Sequence, residues 1–129
     1  MGWFSVRAMT TPTMTMVTVT IDCADPRALV EFWTKALDYE VKADMDGFFV
    51  LLGPKEGTGT GIGLQKVEEP KAGKNRVHID FSTEDRKAEV ARLVGLGAKE
   101  QEEHAVPGLT WTVLTDPVGN EFCVGSTNG

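Results

Sequence analysis

Basic residues are the minority charge in this chain: 13 Lys and Arg stand against 19 Asp and Glu, for a net charge of -6. That deficit argues against nucleic acid and anionic membrane surfaces as partners, since phosphate binding needs a basic patch. Long apolar runs are absent too. None approaches the roughly 20 residues that a membrane-crossing helix requires. The opening stretch, MGWFSVRAMTTPTM, lacks the apolar core and small-residue cleavage pattern of a signal peptide, so a cytoplasmic protein is expected. Cysteine is scarce. Cys23 and Cys123 both lie in apolar stretches, too few for a disulfide framework and in keeping with two buried thiols in a reducing compartment.

What is present suits an ordinary globular domain. The 129 residues are 41% hydrophobic and 25% charged, enough for one core. The chain also repeats itself at an offset of sixty. VTVTIDCADPRALVEFW (17–33) matches VHIDFSTEDRKAEVARL (77–93) in pattern: Val17 with Val77, Val19 with Ile79, Ile21 with Phe81, Asp25 with Asp85, and Trp33 with Leu93. Each copy reads as an alternating strand, an acidic turn and a helix. In the first helix Asp25 is the expected N-cap, Pro26 the first helical residue, and Leu29, Phe32, Trp33 and Leu37 the apolar face. In the second, Val90, Leu93 and Val94 form that face, and Gly97 ends it. Three short strands follow each helix. They are YEVKAD, FFVLLG and GIGLQKV in the first copy, then AKEQEE, TWTVLTD and EFCVG in the second. EEPKAGKN (68–75) is a polar linker, and DPVGN (116–120) has Pro and Gly where a type I turn favours them.

Few residues carry recognisable chemistry. In KNRVHIDF (74–81), Val77, Ile79 and Phe81 alternate with His78 and Asp80. One face of that strand is apolar, and the other carries an imidazole with a carboxylate able to orient it. Glu121 alternates with Phe122 and Val124, and so turns away from the apolar side. The glycine-rich EGTGTGIG (56–63) lacks the Lys-Ser/Thr ending of a phosphate loop and runs into a strand, so it reads as a hairpin or lid over a cleft. His104 reads as a solvated loop histidine, and KEQEEH as a charged edge. Phe48, Phe49 and Trp111 suit either the core or an apolar cleft wall.

Two βαβββ modules, with VHIDFS opening the second and DPVGNEF closing it, resemble the vicinal oxygen chelate superfamily. That group includes glyoxalase I, the extradiol dioxygenases and the bleomycin-resistance proteins. LQKVEEPKAGKNRVHIDF is most similar to the small glyoxalase-like proteins. The resemblance spans about residues 15–126 and implies an α+β fold in which the modules form a half-open, barrel-like mixed sheet. Module one would cover 15–68, a linker 69–74 and module two 75–126, after an N-terminal extension, 1–14. It implies a small-molecule cleft with ligating positions on the first and last strands of each module. Carried onto this chain, those positions are Thr18, Gln65, His78 and Glu121. His78, Glu121 and Gln65 are then the expected metal ligands. Glu121 and His78 are the catalytic pair, and Gln65, Thr18, Phe49 and Trp111 are ligand-binding residues. A divalent metal (Zn, Fe, Mn or Ni) and no metal at all are equally weighted expectations, because Gln65 brings no charge and Thr18 is a poor ligand. The implied activity is that of a lyase or isomerase acting beside a carbonyl. The alternatives are a bleomycin-resistance type of binder without turnover, and a degenerate domain for protein association. Superfamily members commonly pair, so a homodimer is expected, with Trp3 and Phe4 packing on the domain or a partner chain.

Overall fold

The computed structural model describes residue 12 and residues 14–127, so the expectation for Trp3 and Phe4 falls outside the described residues. The elements run β1 (Thr18–Cys23), α1 (Pro26–Leu37), β2 (Tyr39–Met45), β3 (Phe49–Pro54), β4 (Gly61–Lys66), β5 (Ile79–Ser82), α2 (Arg86–Leu96), β6 (Lys99–Val106), β7 (Leu109–Thr115) and β8 (Glu121–Ser126). They form two four-stranded sheets, ordered β1-β4-β3-β2 and β5-β8-β7-β6. The repeat is therefore structural as well as sequential. Val19 pairs with Ile62 in the first sheet and Ile79 with Phe122 in the second, each related by the same offset of sixty.

The helices are built as their sequences suggest, with two exceptions. Pro26 opens α1, and Asp38 ends it in the left-handed conformation at φ 56°. Asp25 sits at the N-cap, but its side chain bonds no helix N–H; its carbonyl accepts from Ala28 instead. Asp85 does cap α2, accepting from the Ala88 N–H at 3.1 Å. Val90 and Leu93 are buried as expected, whereas Val94 is exposed. The third buried residue of the helix is Arg86, which donates to Thr112 at 2.7 Å and pairs with Glu103 at 2.6 Å.

One aromatic cluster joins the modules. Trp33 of α1 meets Phe122 with ring centroids 5.2 Å apart and Phe81 at 6.0 Å, both in the second sheet. Its indole N–H donates to Asp116 Oδ2 at 3.3 Å, in the turn between β7 and β8. Arg92 of α2 also donates to the carbonyls of Lys35 and Ala36, two of the acceptors that the end of α1 leaves without helical partners.

Replacing Trp33 by Phe keeps most of the apolar contact but removes the indole donor to a buried carboxylate. The expected loss is about 1–3 kcal/mol of unfolding free energy. Urea unfolding measures it, and an unchanged midpoint would show that the bond contributes nothing.

Candidate functional site

A cavity of about 650 Å³ lies where the two sheets face each other across the edges of β1 and β5. That volume falls in the range of small-molecule sites, roughly 300–1,000 Å³. Thr20 and Asp22 contribute from β1, the stretches 67–71 and 75–78 from the connection between the modules, Ile79 from β5, Asn120 from the β7–β8 turn and Glu121 from the start of β8. The Asn120 side chain donates to the Asp22 carbonyl at 3.3 Å and ties the modules together beside the cavity.

His78 lies on this cavity wall, just before β5 rather than in the middle of a core strand. Its neighbour Val77 is 77% exposed, so the apolar face expected of 77–81 is carried by Ile79 and Phe81 alone. The chain enters pairing one residue late, because the first parallel pair is Ile79 with Phe122. His78 Nε2 lies 3.2 Å from Asp80 Oδ1. Asp80 sits directly across from Cys123. The donor atoms of His78, Asp80 and Cys123 all lie within 4.8 Å of one another.

Glu121 also lines the cavity, but its carboxylate is engaged elsewhere. It accepts from the Asn75 N–H at 2.8 Å and pairs with the Lys71 ammonium at 2.9 Å. Burial pushes its carboxyl up, and Lys71 with the Asn75 N–H outweighs that, holding it below the usual carboxylate range. Gln65 does not join this group. It is exposed near the C-terminal end of β4, paired with Asp22 and Phe49, and does not itself line the cavity. The expected meeting of His78, Glu121 and Gln65 is thus replaced by one of His78, Asp80 and Cys123. The reason is register: sixty residues before Glu121 stands Gly61, not Gln65, and sixty before Cys123 stands Gly63.

At the positions equivalent to His78, Asp80 and Cys123, module one has Thr18, Thr20 and Gly63. Thr18 packs beside Gly61 and is off the cavity wall. At Gly63 a Cβ would lie 2.7 Å from the Phe49 ring and 2.8 Å from Thr20 Oγ1, so a side chain there would have to displace one or both. Phe49 pairs with Gln65, and Trp111 with Gly125, which is the residue sixty beyond. The two aromatics are therefore equivalents in the two modules, and neither lines the cavity. Trp111 stacks on His104 at 5.3 Å and 25°. His104 belongs to the exposed edge strand β6, not to a loop. The glycine-rich segment lies between β3 and β4 and does not roof the cavity. Asp80 was legible as an orienter of His78. Cys123 was missed as a site residue because its apolar surroundings read as core.

Residues 18–125 match the family model described as glyoxalase-like domain. The chain belongs to the glyoxalase-like family. Solved structures repeat the fold. A glyoxalase/bleomycin resistance protein/dioxygenase from Nocardioides is 18% identical, covering 98% of this chain and 92% of that one, at a TM-score of 0.73. A superfamily member from Sphaerobacter thermophilus is 22% identical over 88% and 97% of the chains, at 0.67. A lactoylglutathione lyase from Agrobacterium tumefaciens is 19% identical over 90% and 95%, at 0.66. No curated protein matches. At these identities the likeness establishes the α+β fold expected from the sequence, here with the two sheets left unclosed. No described helix of this glyoxalase-like protein is long and apolar enough to cross a membrane.

Two pH dependences follow. Glu121 has a folded pKa below its ordinary 4.5, so its contribution is present above pH 4.5 and is lost as pH falls through the folded value. The wild type is expected to lose more stability there than Glu121→Gln; parallel urea midpoints against pH would refute this. Cys23 runs the other way. Burial and then the nearby Asp116 push its thiol from 9.0 up to about 11, so its contribution is present below pH 9.0 and disappears as pH rises toward 11. Cys23→Ala is expected to flatten that alkaline decline in the same urea series.

Proposed function

We propose that this glyoxalase-like protein binds a small carbonyl-bearing molecule in the cavity between its modules and acts on it as a lyase or isomerase. The observation that carries the reading is the cavity itself, with Glu121 and His78 on one wall. Glu121 is the candidate base. The Asn75 N–H and the Lys71 ammonium orient its carboxylate and keep it ionised, ready to take a proton from the carbon beside the carbonyl. His78, positioned by Asp80, is the candidate group facing the substrate oxygen. A divalent cation, when bound, supplies polarisation of that oxygen. Its ligands, if Zn, Fe, Mn or Ni is used, centre on His78, the one expected ligand with other donors beside it.

Binding without turnover is the second reading. It is favoured by the same two bonds on Glu121, which make the residue a strap between the linker and β8 and a weak base. The two readings separate on one pair of measurements. A carbonyl-bearing ligand that raises the melting temperature locates binding. Under the leading reading Glu121→Gln keeps that shift and loses turnover by about 10²-fold or more. A ligand bound and never converted by the wild type would leave the binder reading.

The buried free thiols suit a reducing compartment such as the cytoplasm. A homodimer completes the proposal. Val17 and Val77, equivalent residues just before the edge strands β1 and β5, are 70% and 77% exposed. Each edge strand is paired on one side only. Light scattering that returns 14.0 kDa at micromolar concentration would refute the dimer.

A further inference from the structure

We infer that module two alone forms a thiolate-containing cation site from His78, Asp80 and Cys123, fitted to zinc. This deepens the reading above, but it concerns cation binding and stands or falls apart from turnover. The donor set is one nitrogen, one carboxylate oxygen and one sulfur: Asp80 and Cys123 are on the adjacent parallel strands β5 and β8, and His78 is the residue before β5. Three protein ligands of these types with a further position open is the pattern of a reactive zinc site. Zinc bonds of about 2.0–2.3 Å place neighbouring ligand atoms roughly 3.3–3.8 Å apart. His78 Nε2 and Asp80 already stand at 3.2 Å, and the whole set spans no more than 4.8 Å. Direct pairing of Asp80 with Cys123 holds two of the three ligands on a rigid backbone.

The residues around the set limit both its occupant and its extent. Cys123 is 6% exposed, whereas His78 and Asp80 are exposed, so the sulfur lies at the base of the site and the open coordination position faces outward, past His78 and Asp80. His78 is also on the cavity wall, which gives a ligand oxygen in the cavity a path to the cation. A thiolate ligand favours zinc and other soft ions over manganese, magnesium and calcium. Binding replaces the Cys123 S–H bond with a sulfur–metal bond and releases one proton to solvent. Module one adds no fourth ligand at the place equivalent to Cys123, because Gly63 stands there and has no side chain to offer. The site therefore reaches the cavity through His78 and does not bridge the modules.

Cobalt, as a spectroscopic substitute for zinc, tests this on the full reduced chain after chelation. One equivalent is expected to give visible bands of a four-coordinate ion and a near-ultraviolet sulfur-to-cobalt band, both erased by added zinc. Cys123→Ser should abolish the sulfur band. His78→Ala and Asp80→Asn should weaken cobalt binding by about tenfold or more, while Gln65→Ala leaves it unchanged. No sulfur band in the wild type, or a band that survives Cys123→Ser, overturns the proposal. Loss of cobalt binding in Gln65→Ala overturns it in favour of a site spanning both modules, and loss in Glu121→Gln overturns it in favour of a different ligand set within module two. If Cys123→Ser does not fold, alkylation of the wild type decides. Zinc should protect Cys123 from iodoacetamide and leave Cys23 unaffected, and equal labelling of Cys123 with and without zinc refutes the site.

Discussion

The bond from the Trp33 indole to the Asp116 carboxylate ties the two halves of this molecule together, and much else depends on it. Neither βαβββ module can bury its own sheet and helix. Trp33 solves this by belonging to one module and packing on Phe81 and Phe122 of the other. Asp116 receives its N–H and also those of Val118 and Asn120, so a single buried carboxylate shapes the turn that launches β8. Burial pushes the Asp116 carboxyl up even against those donors, which shows how expensive the position is. The turn sets where Asn120, Glu121 and Cys123 begin, and so places the cavity wall.

The modules are alike in backbone and unlike in chemistry. The offset of sixty holds through β1 and β5 and through β4 and β8. At equivalent places module one has Thr18, Thr20 and Gly63, where module two has His78, Asp80 and Cys123. Phe49 lies so close over Gly63 that any side chain there would have to displace its ring. Function, on this reading, rests on one half of a duplicated scaffold, and the other half serves as a wall.

The linker is more than a connector. Lys71 and Asn75 hold it to Glu121, and the stretch on either side of them roofs the cavity. A carboxylate expected to serve chemistry therefore also fixes the shape of the space in which that chemistry would occur. Its bonds account for its depressed pKa and for the order of an otherwise polar segment.

Periodicity determined the helices and strands, because alternation and helical spacing are local and each apolar stripe had one sheet to cover. The repeat at sixty determined that there are two modules, and the DPVGN turn formed as its Pro and Gly require. His78 and Asp80 were visible as a pair, since residues two apart on a strand share a face. Three things only the tertiary structure decided. Pairing register put Cys123 beside Asp80 and set Gly61, not Gln65, at the place equivalent to Glu121, and register is a property of two strands that neither encodes alone. Linker contacts turned Glu121 into a clamp through a hydrogen bond spanning 46 residues. The Trp33–Asp116 bond spans 83 residues, a distance over which neither residue's local pattern carries any trace of its partner.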